Sequence, residues 1–346
     1  MRRLLILLCI TVSFSAHAQL SYYNSDAYWT NFCLQANCIK PALTDTCLVF
    51  VSNRHFNRDS LRFVDEFVDT TGLKYFVLQK QAEKWNVFQV PTLTDAMQLM
   101  PEKRDVVVYA EGMGKIFTAN VERALLMRSQ YNVNVVMFDY ASINTTYRPS
   151  RNFRFARSNA RLSAPQYFRL LQLIQQARQD KEDWVEHVKV STFCHSMGNI
   201  IFMEMMKHQP YDQLNKTPFI DNVVLNAACV PSKHHKEWIE RIRFANKIYI
   251  NYNRSDWQLK GAHLLTLASQ LGEKPKRSRA ANANYINFHD QGGRQHSYFL
   301  NFPQNDYRMT QEMRDYFAQL FSGNGAVLEE EKTLAKKQPG ALETVN

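Results

Sequence analysis

Three residues of the types that cooperate in nucleophilic catalysis follow one another along the chain. Ser196 comes first, Asp256 follows it, and His296 comes last. A serine hydroxyl becomes a nucleophile when a histidine can take its proton and a carboxylate fixes the tautomer of that histidine. We therefore predict acyl-transfer chemistry with Ser196 as the nucleophile, His296 as the base and Asp256 as the orienting acid.

Ser196 stands in a short turn between a predicted strand and a predicted helix. Residues 188–193 are apolar and rich in β-branched side chains, and residues 199–207 carry apolar side chains at helical spacing. Such a turn places the serine hydroxyl at a helix N-terminus, where free N–H groups stabilise a developing oxyanion. The turn needs small residues two positions before and after the serine, here Cys194 and Gly198. A serine that only caps the helix is the alternative interpretation.

The other candidates for these roles have less suitable positions. Cys194 lies at the buried end of its strand, which disfavours it as a nucleophile, and His195 should point away from the adjacent serine hydroxyl. Asp256 could instead be the N-cap of the helix that begins near residue 257. The rival base is His289, and the rival acids are Asp221 and Asp290.

Short apolar runs separated by amphipathic stretches predict the elements that position these residues. Strands that are apolar throughout are typical of a parallel sheet covered by helices on both faces. We expect an α/β fold with a mostly parallel, eight-stranded sheet. The predicted strands are residues 47–51, 75–78, 106–109, 133–138, 188–193, 223–226, 248–250 and 285–288. The predicted helices are residues 116–129, 165–177, 199–207, 238–245, 257–271 and 309–321.

The loops after two late strands carry the acid and the base. Asp256 follows the predicted strand 248–250, and His296 follows the strand 285–288 after the flexible pair Gly292 and Gly293. Ligand and catalytic groups of such sheets gather outside the carboxyl ends of the strands. We therefore expect both side chains at the same sheet edge as Ser196.

The first 18 residues have the layout of a cleavable secretory signal. Arg2 and Arg3 precede an apolar run at residues 4–14, and small residues follow at the expected cleavage site. This run is shorter than the roughly 20 residues that span a bilayer, so we expect no transmembrane segment after cleavage and a periplasmic or secreted protein. The expected division is a signal at 1–18, an N-terminal extension at 19–45, one domain at 46–322 and a flexible tail at 323–346.

Charge and cysteine content limit the partners. The formal net charge is +10, or about +8 without the two leader arginines. This charge favours anionic substrates, while export argues against nucleic acid.

The cysteines suggest a disulfide but no metal site. A disulfide between Cys33 and Cys38 is plausible, with Cys47 as a competing partner, and the odd number of cysteines after the leader leaves at least one thiol free. No histidine stands at ligand spacing from the thiols, so we expect no metal and no cofactor.

Together these residues resemble the α/β-hydrolase superfamily, and within it a bacterial branch of esterase-like and lipase-like hydrolases. The resemblance covers residues 46–322. Its motifs are VFVSNR at 49–54, YAEG at 109–112, FRFARS at 153–158 and HSY at 296–298. It implies a Ser196–His296–Asp256 triad and an oxyanion hole made of backbone N–H groups from Met197, Gly112 and Met113.

Two positions depart from the superfamily pattern. Glu111 stands before Gly112 where a histidine is usual, and Cys194 replaces the first glycine of the serine turn. A carboxylate beside a developing oxyanion opposes it. We therefore expect Glu111 to point away from the site or to pair with a cation.

Arginine residues cluster between the predicted strand 133–138 and the helix 165–177. They are interleaved with aromatic residues, and the stretch 140–164, which follows Asp139, contains no acidic residue. Arginine binds carboxylate and phosphate groups in a bidentate manner, so Arg148, Arg151 and Arg154 are candidate anion-binding residues. The alternative is a solvated loop whose aromatic side chains pack against the core. The remaining arginines of the cluster are Arg157 and Arg161.

The sequence thus favours a secreted serine hydrolase that cleaves a small-molecule or lipid ester, and the net positive charge favours an anionic one. One alternative is an inactive binding or scaffold protein of the cell envelope that has kept the fold. Another is an acyltransferase that uses the same triad with an acceptor other than water. The acyl length and the oligomeric state are not encoded in these patterns.

Overall fold

A ten-stranded sheet forms the centre of the fold in the computed structural model, which describes residues 26–37, 40–43, 45–60, 62–303 and 305–326. The spatial order of its strands is β1-β6-β5-β2-β8-β7-β9-β10-β11-β12, and β3 pairs separately with β4. The strands are β1 Phe32–Gln35, β2 Thr46–Ser52, β3 Arg54–Phe56, β4 Val64–Val68, β5 Lys74–Gln81, β6 Lys84–Val90, β7 Val106–Ala110, β8 Asn134–Asp139, β9 Val190–His195, β10 Ile220–Asn226, β11 Ala245–Tyr252 and β12 Asn284–Asn287.

The helices of the described residues connect these strands. They are α1 Asp26–Trp29, α2 Leu93–Gln98, α3 Phe117–Tyr131, α4 Pro149–Leu162, α5 Ala164–Gln179, α6 Gly198–His208, α7 His235–Ile239, α8 Trp257–Thr266, α9 His289–Gly292 and α10 Gln311–Phe321, with a 3₁₀ turn at Tyr211–Gln213. None of these helices is long and apolar enough to cross a membrane.

The central strands run parallel, and the pairing changes from parallel to antiparallel at β2. Strand β2 pairs parallel with β8 and antiparallel with β5, which in turn pairs antiparallel with β6. Strands β7 to β12 are parallel to their neighbours. Every residue of β7, β8, β9 and β10 is buried, as strands covered on both faces require.

The predicted α/β class is confirmed, and the predicted strand number was too low. All eight predicted strands are present in the main sheet, but β1 and β6 of that sheet and the separate pair β3 and β4 were not expected. Strand β1 is only four residues long, and β6 mixes polar with apolar side chains because both lie at one margin of the sheet. Strands at a margin are covered less completely than central strands, so their apolar pattern is weaker.

Two predicted segments differ in secondary structure. The helix predicted at 238–245 ends at Ile239, and its last position instead begins β11. The arginine-rich segment is not a loop but helix α4, which starts with proline at its first position, where the missing N–H is not needed.

The chain before residue 46 contributes to the same fold. Strand β1 pairs with β6, and Trp29 and Phe32 are buried against Phe63 and Phe117. The predicted signal at 1–18, Cys38 of the predicted disulfide, and residues 327–346 of the predicted tail lie outside the described residues. The start of that tail is anchored, because the Ala326 N–H donates to the Tyr249 hydroxyl at 3.2 Å.

Candidate active site

Ser196 occupies a strained turn between β9 and α6. Its φ is +53°, in the left-handed region that residues with a Cβ seldom adopt, and such strain is often found at functional sites. The turn also requires glycine at 198, because a Cβ there would lie 2.3 Å from the Ala110 carbonyl oxygen. This geometry is that of a nucleophile elbow, which lifts the serine above the carboxyl ends of the strands.

Backbone hydrogen bonds fix this turn to the end of β10. The Ser196 N–H donates to the Asn226 carbonyl at 3.1 Å, and the Ser196 carbonyl accepts from the Cys229 N–H at 3.0 Å. The Asn199 side-chain amide donates to the carbonyls of Cys194 and Ser196. The serine backbone is therefore held rigidly, as pre-organised catalysis requires.

Gly112, at the carboxyl end of β7, approaches the serine from the other side. A Cβ at Gly112 would lie 2.6 Å from the Ser196 Cβ and 3.2 Å from the Met197 nitrogen. No larger residue fits there without movement. The loop after β7 and the serine turn therefore enclose one small space between them.

His296 and Asp256 lie together in the interior. His296 Nδ1 and Asp256 Oδ2 are 2.6 Å apart, and Asp256 is fully buried. Asp256 is also the N-cap of α8, since its Oδ1 accepts from the Leu259 N–H at 3.0 Å. Both roles predicted for Asp256 are therefore compatible. Its Oδ1 caps the helix, and its Oδ2 contacts the histidine.

The serine hydroxyl and His296 are not joined by a hydrogen bond, and both residues are within the described chain. The contact between the two segments is made by His195 instead. The rings of His195 and His296 lie 4.6 Å apart, and His195 Nε2 is 3.3 Å from the His296 carbonyl oxygen. The structure thus brings His296 against His195, the last residue of β9, which directly precedes Ser196.

Of the predicted oxyanion-hole groups, the Gly112 N–H is already used. It donates to Glu111 Oε1 at 2.7 Å, so it cannot serve a substrate oxyanion, which corrects that part of the prediction. The N–H groups of Met113 and Met197 have no hydrogen-bond partner among the described residues. Both flank the Gly112–Ser196 contact, so these two donors can serve an oxyanion there.

Glu111 is paired with a cation, as the sequence required. Its carboxylate lies 2.6 Å from Arg123 Nη1 and 2.5 Å from His195 Nδ1, and it accepts the hydroxyl of Tyr109. Burial raises the pKa of Glu111, but the charge of Arg123 and the hydrogen bond with His195 outweigh burial and hold that pKa well below its usual range. Burial in turn lowers the pKa of His195, so Arg123 is the cation that balances Glu111. The charge of Glu111 is thus balanced behind the oxyanion site.

Arg123 is a functional neighbour that the sequence reasoning missed. It lies on α3, where it shares the buried face with apolar residues such as Val121, Ala124 and Met127. A charged side chain on such a face needs a buried partner. The helical spacing of Arg123 was therefore the signal that could have predicted its pairing with Glu111.

Cys194 is unsuited to act as a nucleophile. It is fully buried at the end of β9, and burial raises the pKa of its thiol to about 12. Only the thiolate is nucleophilic. Cys194 instead supplies the small side chain that the turn needs two positions before Ser196.

A second buried ion pair supports the loop after β7. Arg54 Nε donates to Asp139 Oδ2 at 2.8 Å, and Arg54 Nη2 donates to the Lys115 carbonyl at 2.8 Å. Ser142 fixes the same loop, because its carbonyl accepts from the Gly114 N–H and its hydroxyl from the Lys115 N–H. Arg54 ends the VFVSNR motif, but its contacts with Asp139 and Lys115 were not predicted, because they join residues far apart in sequence.

The rival residues lie elsewhere. His289 is exposed and bonds with Ser255 at 3.0 Å. Asp221, at the amino end of β10, pairs with Lys189 at the opposite sheet edge. Asp290 is exposed on α9.

The arginines of α4 face mainly outward. Arg148, Arg151 and Arg154 are exposed, and Arg151 lies over the Tyr147 ring at 3.6 Å. No hydrogen bond or ion pair joins these three, all in the described chain, to Ser196, Asp256 or His296. Arg157, by contrast, is partly buried. Burial raises the pKa of the Cys229 thiol to about 12, although the charge of Arg157 acts to lower it.

The comparison with protein families agrees with this geometry. A family model described as an alpha/beta hydrolase of unknown function matches residues 91–306. The match includes the serine turn, the loop after β7, Asp256 and His296. Neither the curated proteins nor the solved structures contain a match to the chain. The parallel sheet, the strand-to-helix serine turn and the family match together make this chain a member of that alpha/beta hydrolase family.

Proposed function

We propose that the chain is a serine hydrolase that cleaves an ester through an acyl-enzyme intermediate. The observation that carries the proposal is the 2.6 Å contact between His296 Nδ1 and the buried Asp256, at the sheet edge where Ser196 lies. A carboxylate that holds Nδ1–H fixes the tautomer in which Nε2 can accept a proton. That is the role of a general base.

The reaction has two halves. In the first, the Ser196 oxygen attacks the ester carbonyl carbon, its proton passes to His296 Nε2, and the alcohol leaves with that proton. In the second, water attacks the acyl-enzyme with His296 again as the base, and the acid is released. The N–H groups of Met113 and Met197 stabilise the oxyanion of each tetrahedral intermediate.

The proposal requires the Ser196 hydroxyl to turn toward His296 when substrate binds. Catalytic hydrogen bonds are often long or poorly aligned before the substrate complex forms. The Ser196 side chain is only partly buried, and its hydroxyl has no hydrogen-bond partner among the described residues. Rotation about the Cα–Cβ bond therefore breaks no existing bond.

We further propose a small-molecule or lipid ester as substrate and a periplasmic or secreted location. The location rests on the leader-like sequence of residues 1–18. A negatively charged acyl or alcohol group is favoured by the net charge of about +8 that remains without the two leader arginines. The exposed Arg148, Arg151 and Arg154 could attract such a substrate only from outside the site.

A fluorophosphonate probe tests the proposal, because it reacts only with an activated serine. We expect the wild-type chain to be labelled, Ser196→Ala to give no labelling, and His296→Ala to slow labelling by about a thousandfold. Ser255→Ala and His289→Ala are the matched controls and should label at the wild-type rate. Folded wild-type protein that is not labelled would instead support the inactive scaffold.

Product analysis separates hydrolysis from acyl transfer. With an ester substrate and an added alcohol, a hydrolase releases mainly the free acid, whereas an acyltransferase forms mainly the new ester. Both products must disappear in Ser196→Ala if they come from the same acyl-enzyme.

A further inference from the structure

The outer face of α8 is apolar, although it faces away from the protein. Leu259 and Ala262 bury the inner face of this helix. The positions 257, 261, 264 and 265 recur at helical spacing on the opposite face. There Trp257 is 37 % exposed, Leu264 61 % and Leu265 62 %, and Gly261 has open space beside it.

Leu267 extends this apolar surface in a backbone conformation that is unfavourable for leucine. It is 90 % exposed, and its φ is +53° at the C-cap of α8. Glycine or asparagine is the favourable residue in that left-handed position. A leucine there is both strained and exposed, and such an outlier points to a contact outside the fold.

Cationic side chains border the apolar surface. Lys260 lies on the outer face of α8, and the exposed Arg294 lies over the Trp257 ring at 4.8 Å. The His263–Glu273 hydrogen bond holds the following segment against the helix. The other exposed cations of the stretch 254–279 are Arg254, Lys274, Lys276, Arg277 and Arg279.

The acidic residues between positions 254 and 279 are already paired. They are Asp256, which is buried against His296, and Glu273, which bonds His263. Asp290, exposed on α9 beside the Ser255–His289 bond, adds one negative charge to the seven positive charges named above. The border of the apolar surface is therefore positively charged. A helix with tryptophan and leucine on its outer face and basic residues beside them is typical of a segment that lies in a membrane interface.

We propose that the outer face of α8, with Leu267 and the basic segment 274–279, docks the protein on an anionic phospholipid bilayer. The leucines and Trp257 enter the interfacial region, and the lysines and arginines contact lipid phosphates. A second copy of the chain fits this surface less well. A two-fold contact places the same patch on both sides, so the cations of one copy would face those of the other.

The surface lies beside the candidate active site. Asp256 caps the first turn of α8 and bonds His296, and Leu264 lies only about 12 Å further along the helix axis at 1.5 Å per residue. Docking through α8 therefore holds the site close to the lipid headgroups. The docking itself goes beyond the proposed hydrolysis and does not depend on it.

Sedimentation with vesicles tests the proposal on the full chain. We expect binding to vesicles of equal parts phosphatidylcholine and phosphatidylglycerol, and much weaker binding to phosphatidylcholine alone. The double variant Leu264→Ser, Leu265→Ser should weaken binding on the order of tenfold or more. Leu43→Ser is the matched control, because Leu43 is 74 % exposed and lies before the amino end of β2.

Leu267→Asn separates docking from folding. Asparagine relieves the left-handed strain, so the melting temperature should rise while vesicle binding falls. The variant Lys276→Gln, Arg277→Gln should weaken binding to the anionic vesicles. Ser196→Ala should bind as the wild type does, which keeps docking distinct from catalysis.

Three results would overturn the proposal. The first is that folded protein does not sediment with the anionic vesicles. The second is binding that is unchanged in the α8 leucine variants. The third is self-association in ultracentrifugation that the same leucine changes abolish, which would assign the surface to a second copy.

Discussion

Glu111 and Arg123 form a buried ion pair directly behind the serine turn. The carboxylate also holds the Gly112 N–H and His195, so one residue links β7, β9 and α3. Buried pairs of this kind add little net stability, but the loss of one partner leaves an uncompensated charge. Glu111 therefore holds the loop after β7 in place. Loss of its charge would leave Arg123 buried without a counterion and would lower the free energy of unfolding.

Neutralising Glu111 tests this role. We expect Glu111→Gln to lower the free energy of unfolding by about 3 kcal/mol, because Arg123 stays buried without its counterion. Urea denaturation followed by circular dichroism measures the change. Glu237→Gln is the control, since Glu237 pairs with His234 at the surface and should change stability by less than about 1 kcal/mol.

A smaller loss in the double variant Glu111→Gln, Arg123→Met would support the ion-pair explanation. If Glu111→Gln alone were as stable as the wild type, the carboxylate would not be balancing Arg123.

The serine turn is the element that the sequence predicted best. A change from strand-like to helical spacing of apolar residues marks its two ends, and these signals are local. The approach of Gly112 to Ser196 could not be predicted in the same way. It joins residues far apart in sequence, and neither the glycine nor its neighbours show a periodic pattern.

Glycine substitutions test the turn against a matched helix position. Gly198→Ala should lower the free energy of unfolding by more than about 3 kcal/mol, because the new Cβ meets the Ala110 carbonyl oxygen. Gly261→Ala, in the open interior of α8, should raise it by about 1 kcal/mol. Denaturant titration measures both, and a mild effect at Gly198 would contradict the tight packing of the turn.

At the scale of the whole molecule, the strands of the main sheet from β5 to β12 in spatial order could be predicted, and the margin formed by β1 and β6 could not. Strands covered by helices on both faces are apolar throughout, whereas β1 and β6 are short or half polar. The domain was consequently expected to start at residue 46. The structure places residues 26–35 in the same fold through Trp29, Phe32 and the β1–β6 pairing.

Truncation tests whether this margin is needed. A chain that starts at Thr46 should lose several kcal/mol of stability or aggregate, because it exposes β6 and the aromatic pocket around Phe117. A chain that starts at Asp26 should unfold with the midpoint of the full chain in urea. Equal midpoints for both truncated chains would mean that residues 26–35 do not stabilise the domain.

The backbone bonds of the serine turn also set how fast its amide protons exchange with solvent. The Ser196 N–H is bonded to Asn226, the fully buried last residue of β10, so its proton should exchange only when the whole domain opens. The N–H groups of Met113 and Met197 lack such bonds, and smaller openings suffice to release their protons. Occupation of the oxyanion site by a covalent phosphonate would slow exchange at those two amides and leave Ser196 unchanged.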